Sequence, residues 1–472
     1  MRRILRLLLG VGAAAGMVTA LALEAHVTPA ARGAAVVRLG TPVLSARRLP
    51  SVLEAVVAER RLGADLDAWR ATSPPDTCVV VRDDAGDIDY AFRADEPMVP
   101  ASTLKLFTAA AVLQRLGVHA TLRTSVVASR LLTDGVLSGD LTLVGGGDPL
   151  LASADYASRF ERQPQTFTDL DQLAAGLQLA GVRRVEGSVV GDEARYDTVR
   201  YVPSWPARYI EQDQSGPLSA LTVNDGFESY PTANRPQALV AAADPPRNAA
   251  AVLTRLLEAR GVTVAGAPRS GRAPADGREL AAVESSPIGD IVREMLQESD
   301  NMTAELLVKE LGAAVGDPST AGGLAEVRSA ASAPGADPAA LAVADGSGLS
   351  LDDRVTCDLL VDLLLQHSSG PALVERLAVA GRSGTLADRF VGTPLDGALR
   401  AKTGSLNTVT ALAGVVADDD PPLTFAYLVN VPEGERVPDA VESTQRSLGE
   451  ILLSWPRVPD AGSLAPRPVK SR

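Results

Sequence analysis

Two groups of strand-like runs of similar character sit near the two ends of this chain, and that placement constrains the architecture more than any other feature. Near the start, Cys78–Arg82 and Ile88–Arg93 are apolar, β-prone stretches around a turn at Asp83–Asp87, the pattern of a hairpin. Near the end, Gly397–Thr403, Thr408–Ala417 and Thr424–Val431 are three more such stretches joined by short turns. Helical spacing accompanies both groups. It runs over Leu49–Trp69, with Leu53, Val56, Val57 and Leu62 as its apolar residues, and over the Ala-rich Ser102–Leu116, which stops at Gly117. It returns over Ile288–Gly312, Arg354–His367 and Pro438–Ser454, the last opening on a proline that a first helical position tolerates. Bringing the two groups together predicts one five-stranded antiparallel sheet flanked by helices, an α/β (α+β) domain made of residues 48–120 and 278–456.

The middle, residues 121–277, is then an insertion. Short strand-like pieces (Leu122–Ala128, Asp140–Val144, Gly187–Gly191) alternate there with glycine turns, and helical stretches are fewer (Leu170–Ala180, Ala249–Gly261), which predicts one or two β-rich subdomains. Splitting 472 residues this way fits a chain too long for one ordinary core.

The first 23 residues carry Arg2, Arg3 and Arg6 ahead of an apolar run from Leu7 to Leu23, the layout of an export signal. Its length suits either a cleaved signal peptide or a retained membrane anchor. Residues 24–47 read as a linker and 457–472 as a disordered tail. The folded part is therefore expected outside the cytoplasm, in the cell envelope. Two cysteines, Cys78 and Cys357, suit one disulfide in that compartment and equally suit two separate buried thiols.

Several chemistries are excluded. Net charge is −13 with no basic block, so nucleic acid is not an expected partner. The histidines are His26, His119 and His367, none with an acidic partner at motif spacing, which argues against a Ser-His-Asp triad. No two His or Cys residues stand at ligand spacing and no glycine-rich phosphate loop is present, so no metal or cofactor is expected.

Lysine usage points the other way. Of 45 basic residues only Lys105, Lys309, Lys402 and Lys470 are lysines. Arginine cannot lose its proton near neutral pH, whereas a desolvated lysine can and so can act as a base. Lys470 lies in the tail, and Lys309 falls on a helix where it asks for no explanation. Lys105 is different. Ser102-Thr103-Leu104-Lys105 opens a helix, so Ser102 and Lys105 share a face, and the free N–H groups at the helix start favour developing negative charge. A serine cap beside a surface lysine would have the same spacing, but Leu104, Leu106 and Phe107 make that face apolar. Ser299-Asp300-Asn301 falls between two helices and Lys402-Thr403-Gly404 on a late strand. Alone, the first is a helix junction capped by Ser299 or Asn301 and the second an edge-strand lysine. Together and in this order, the three form the Ser-x-x-Lys, Ser-x-Asn, Lys-Thr-Gly set of acyl-serine enzymes.

On those motifs the chain resembles the class C low-molecular-mass penicillin-binding proteins, the D-Ala-D-Ala carboxypeptidase/endopeptidase family. The likeness extends to Pro100–Leu106, Gly145-Gly146-Gly147-Asp148-Pro149, Leu221–Gly226 and Asp345-Gly346-Ser347-Gly348-Leu349-Ser350, and to the long gap between Ser102 and Ser299. It covers about Thr41 to Ser454. The resemblance implies a β-lactamase/transpeptidase-like domain and a substrate, a peptidoglycan stem peptide ending in D-Ala-D-Ala, with β-lactam antibiotics as inhibitors. It assigns Ser102 as nucleophile, Lys105 as general base, and Ser299, hydrogen-bonded to Lys105 or Lys402, as the proton route to the leaving amine. Asn301, Lys402, Thr403, Gly404 and Ser405 would bind substrate, with the N–H groups of Ser102 and Ser405 as oxyanion hole. Asp148 would reach the amine of a diamino-acid side chain, although Asp-Pro turn chemistry explains it equally. One departure stands out: Leu351 follows the Asp345–Ser350 run where the family often has arginine, and Arg354 is the nearest substitute. Two other readings remain, a serine β-lactamase and a catalytically silent peptidoglycan-binding module.

Overall fold

The structure, a computed structural model, describes residues 50–86, 88–231, 239–331, 340–366, 373–417 and 422–456. The expected signal or anchor, the linker, the tail, His26, His367 and Lys470 lie outside the described residues.

The two ends of the chain do meet in one antiparallel sheet. Its order is Ala378–Val379, Leu399–Leu406, Val409–Val416, Leu423–Asn430, Thr77–Arg82, Asp89–Phe92. The seam between the two ends pairs Thr77 with Val429 and runs in register to Arg82 with Thr424. The sheet has six strands, not the five expected. The extra one, Ala378–Val379, pairs over two residues with Ala401 and Arg400, too few for any alternation to show in sequence.

Both faces are covered, which explains why these strands are apolar at nearly every position. Along Thr77–Arg82, Cys78 and Val80 enter a core with Phe107, Leu307 and Leu360, while Val79 and Val81 enter another with Leu66 and Leu448. Helices Lys105–Leu116, Ile288–Glu298, Asn301–Ala314 and Cys357–Gln366 form the first side. Helices Pro50–Arg70 and Val441–Leu453 form the second, the latter starting three residues after Pro438. Thr320–Ala331 is a helix that sequence reading missed, because Gly322 and Gly323 lower the helical propensity of its first turn. The cysteines are joined: Cys78 on the seam strand bonds Cys357 at the start of its helix, 279 residues away. Closing so long a loop stabilises by about 2–5 kcal/mol.

The segment between the two groups of strands, expected to be a β-rich insertion, carries a sheet of its own and helices beside it. Its main sheet runs Arg269–Ser270, Val189–Asp192, Leu141–Val144, Arg123–Ala128, Arg278–Glu284. Val189–Asp192 is parallel to both its neighbours, and Arg123–Ala128 antiparallel to both of its own. Parallel neighbours need crossovers, and the helices Asp171–Leu179 and Pro245–Ala259 pack into the same core as Leu143. The last strand, Arg278–Glu284, lies beyond the expected boundary at 277. Its residues are mostly good helix formers, so only pairing with Arg123–Ala128 makes it a strand.

Polar contacts tie this region to the Asn301–Ala314 helix. Glu310 accepts from Tyr196 Oη at 2.6 Å and from Arg195 Nε at 2.8 Å. Lys309, which the sequence left as unremarkable, is fully buried in an ion pair with Asp197.

Candidate active site

Ser102 sits in a tight turn, not yet in the α-helix. Ala101–Leu104 is one 3-10 turn and the α-helix begins at Lys105. A 3-10 turn has three residues per revolution, so positions three apart stack directly. Lys105 Nζ accordingly lies 3.0 Å from Ser102 Oγ. Ala101, just before the nucleophile, is held at φ +48°, a left-handed conformation that costs energy in a residue with a side chain. Two glycines press on this turn. A Cβ on Gly348 would stand 1.9 Å from the Ala101 carbonyl oxygen, and one on Gly404 would stand 2.9 Å from that of Pro100. Only bare backbone lets the 345–350 loop and the Lys402-Thr403-Gly404 strand approach so closely.

Lys105 is completely buried and gives hydrogen bonds to three neutral acceptors. These are Ser102 Oγ, Asn301 Oδ1 at 2.7 Å and the Ser347 carbonyl at 2.7 Å. Burial pulls its pKa down to about 8, against the opposing pull of Asp345, Asp300, Glu305 and Asp353.

The Ser-Asp-Asn junction is arranged differently from either plain reading of it. Asp300 is the cap, accepting from Thr303 N at 3.1 Å and Thr303 Oγ1 at 2.7 Å. That leaves Asn301 free to hold Lys105 with its oxygen while its nitrogen donates to the Gln214 carbonyl at 2.8 Å. Ser299 closes the preceding helix at φ +63°. Its expected hydrogen bond to a lysine is not made. The three protons of Lys105 are already placed, and Lys402 donates to the Thr403 carbonyl at 3.0 Å. Ser299 instead lines a cavity of about 370 Å³ beside Asn301.

Lys402, on the Leu399–Leu406 strand, is also fully buried. Burial and the neighbouring charge of Lys105 hold its pKa well below the usual lysine value. Thr403 Oγ1 shares a 2.9 Å hydrogen bond with Thr385 Oγ1, and Ser405 is exposed on the same strand. So Ser102, Lys105 and Asn301 are in direct contact, Lys402 is within electrostatic reach of Lys105, and Ser299 adjoins Asn301.

Asp148 stands apart. It is 3% exposed, one oxygen accepts from Leu150 N at 3.0 Å, and the other makes no hydrogen bond within normal distance among the described residues, with the Thr168 hydroxyl a nearby group that favours its ionised form. Burial pushes its pKa up to about 6. This is Asx-turn geometry, and Asp148 is not among the cavity's lining residues. The carboxylates that do line it are others, including Asp225 and Glu294, beside Tyr156 and Phe160. Burial first, then Asp300, raises Asp225 to about 7, and Tyr156 Oη donates to it at 2.7 Å. Asp225 lies within the Leu221–Gly226 run that sequence flagged without a role; Glu294 carried no signal beyond helical spacing. Arg354 spends Nη1 on the Leu351 and Asp353 carbonyls, both at 2.7 Å, instead of on the cavity.

Comparison with known proteins identifies the family and the fold. The pattern of the D-Ala-D-Ala carboxypeptidase 3 (S13) family matches residues 76–236 and 229–448. The chain is similar to a carboxypeptidase of Mycobacterium tuberculosis, 34% identical over 361 residues, covering 74% of this chain and 75% of that protein. It is similar to a D-alanyl-D-alanine carboxypeptidase of Actinomadura, 32% identical over 431 residues, covering 75% and 78%. Its fold is that of penicillin-binding protein 4 of Haemophilus influenzae, with TM-score 0.68 at 21% identity over 82% of this chain and 98% of that one. The latter has also been solved with a β-lactam, at TM-score 0.60 and 22% identity over the same shares.

Proposed function

The chain belongs to the D-Ala-D-Ala carboxypeptidase 3 (S13) family, and from that premise we propose a serine-type D-alanyl-D-alanine carboxypeptidase whose nucleophile is Ser102. Its substrate is the peptidoglycan stem peptide, and β-lactams acylate the same serine. The observation that carries the assignment is the 3.0 Å contact between Ser102 Oγ and a buried lysine whose other acceptors are neutral.

Ser102 Oγ attacks the carbonyl of the penultimate D-Ala and passes its proton to neutral Lys105. With a pKa of about 8, Lys105 is neutral in about a tenth of molecules at pH 7; an ordinary lysine would be neutral in roughly one of several thousand. The N–H groups of Ser102 and Ser405 hold the oxyanion. Asn301 keeps Lys105 in place and faces the substrate amide. The terminal carboxylate of the peptide supplies Lys402 with the counter-charge that its buried site lacks, and Thr403 hydrogen-bonds it. Ser299, lining the cavity, passes the proton to the departing amine once a bound substrate bridges it to Lys105. Water then hydrolyses the acyl-enzyme. The same steps on a cross-link amide give endopeptidase activity. The enzyme works in the extracytoplasmic cell envelope, exported by residues 1–23 as a signal peptide or anchor.

Fluorescent penicillin tests the assignment. Stable labelling of the wild type that disappears in Ser102→Ala, together with release of D-Ala from a D-Ala-D-Ala peptide, is the expected result. Rapid loss of label would instead identify a β-lactamase, and no label at all a silent wall-binding module.

A further inference from the structure

The base Lys105 is held from behind by a loop that itself rests on buried carboxylates. Its Ser347 carbonyl accepts from Lys105 at 2.7 Å. The N–H of that same peptide unit, on Gly348, donates to Asp345 Oδ1 at 2.7 Å. The two peptide units before it donate to a single oxygen: Gly346 N at 3.0 Å and Ser347 N at 2.8 Å, both to Glu305 Oε1. Thr108, one turn after Lys105 on the same helix, closes the arrangement by donating to the Gly346 carbonyl at 2.7 Å.

Glu305 is the unexpected member. It is fully buried on the Asn301–Ala314 helix, and among the described residues its other oxygen, Oε2, makes no hydrogen bond within normal distance, the Ser347 hydroxyl being a nearby group that favours its ionised form. A buried carboxylate is costly, and an apolar side chain of similar size would avoid that cost. Two functions account for it here: fixing consecutive backbone N–H groups, and placing negative charge behind Lys105.

We propose that Glu305 is a positioning residue for the acylation step, one that fixes the Gly346-Ser347 backbone so that the Ser347 carbonyl aims Lys105 at Ser102. The inference rests on the reading of Lys105 as base. Its charge also sets how readily Lys105 gives up a proton. The groups facing Lys105 are Asp345 and Asp353 from the loop, Asp300 from the helix junction, Glu305, and Lys402 from the strand. Asp345 cannot do the same work, because its oxygens are taken by Gly348 N, Ser350 N and, from the middle segment, Trp205 Nε1. Burial, then the Asp345 charge, raises Glu305 itself, while the Ser347 hydroxyl, the Gly346 N–H and the Lys105 charge favour its ionised form.

The two functions separate by mutation. Glu305→Gln keeps the accepting oxygen and places its new amino group where Oε2 stood. Glu305→Ala removes the acceptor altogether. The measurement is the rate of acylation by fluorescent penicillin from pH 5 to 10 in wild type and both variants, with thermal melts as a check on folding. Glu305→Ala should lose about 100-fold at pH 7. Glu305→Gln should recover most of that, with the midpoint of its rising limb moved to lower pH by about half a unit or more, since one fewer negative charge disfavours the ammonium. An Ala variant within three-fold of wild type, or a Gln variant whose midpoint stays put or rises, overturns the proposal. If the Ala variant does not fold, the Gln midpoint decides alone. A wild type that acylates with a midpoint near 8, alongside an unaltered Gln variant, sinks only the role of Glu305. A wild type that is never acylated sinks the enzymatic reading and this inference together.

Discussion

Two regions of the molecule bury a lysine completely, and they treat it in opposite ways. At the nucleophile turn, Lys105 faces a hydroxyl, a side-chain amide and a backbone carbonyl. At the junction with the middle segment, Lys309 faces the carboxylate of Asp197. Both are 0% exposed. A buried ammonium that meets a carboxylate has its charge compensated where it stands, and the pair links two pieces of chain. A buried ammonium that meets only neutral acceptors has its hydrogen bonds satisfied and its charge not, so burial drives it toward the neutral, basic form. Burial alone therefore does not make a lysine basic; the charge of its partners does. The carboxylates that act on Lys105 do so without taking any of its three hydrogen bonds.

The sharpest way to break this comparison is Lys105→Arg. It keeps the cation and loses the base, and acylation by labelled penicillin should fall about 1,000-fold or more; near-normal acylation would refute the base assignment. Next, Asn301→Asp gives Lys105 the kind of partner Lys309 has. A carboxylate at hydrogen-bond distance raises the lysine's pKa, so the rising limb of the acylation profile should move above pH 8 and the rate at pH 7 should drop about 10- to 100-fold. A limb that stays put would mean the neutrality of the acceptor is irrelevant. Conversely, Asp197→Asn strips Lys309 of its counter-charge. Unfolding in urea should show a loss on the order of 2 kcal/mol, less than for a wholly buried pair because the Asp197 side chain is 31% exposed. Acylation of the folded fraction should not change. The smallest effect is expected for Lys309→Met, which fills the same space without charge and leaves Asp197 to water. Stability should change by less than about 1 kcal/mol and the acylation profile should overlay the wild type; a shifted profile there would mean the two lysines are not independent.

Some of this was readable from residues alone. The sheet seam was, because Thr77–Arg82 and Leu423–Asn430 are each apolar on both faces and so need partners and cover. The set of Ser102, Lys105, Asn301 and Lys402 was too, since lysine is rare in this chain and three short motifs follow one another in order. Lys309 was not legible in this way. Its helix looked self-sufficient, and the partner that explains it is Asp197, 112 residues earlier. Glu305 was invisible for the same reason: on a helix a glutamate reads as solvent-facing until the fold encloses it. The strand Arg278–Glu284 failed in another way, its local preference being helical and its pairing with Arg123–Ala128 decisive.

The sequence by itself determined the chemistry available to this protein: which side chain can attack, which can lose a proton near neutrality, and which strands must be covered on both faces. These follow from covalent structure and from periodicity, which are local. Tertiary structure alone decided which lysine meets neutral acceptors and which a carboxylate, that Asp300 and not its neighbours caps the helix, that Asp148 turns inward, and that Cys78 meets Cys357. Each of those depends on the charge or position of a group distant in sequence or on competition for one hydrogen bond, and such quantities exist only once the chain has folded.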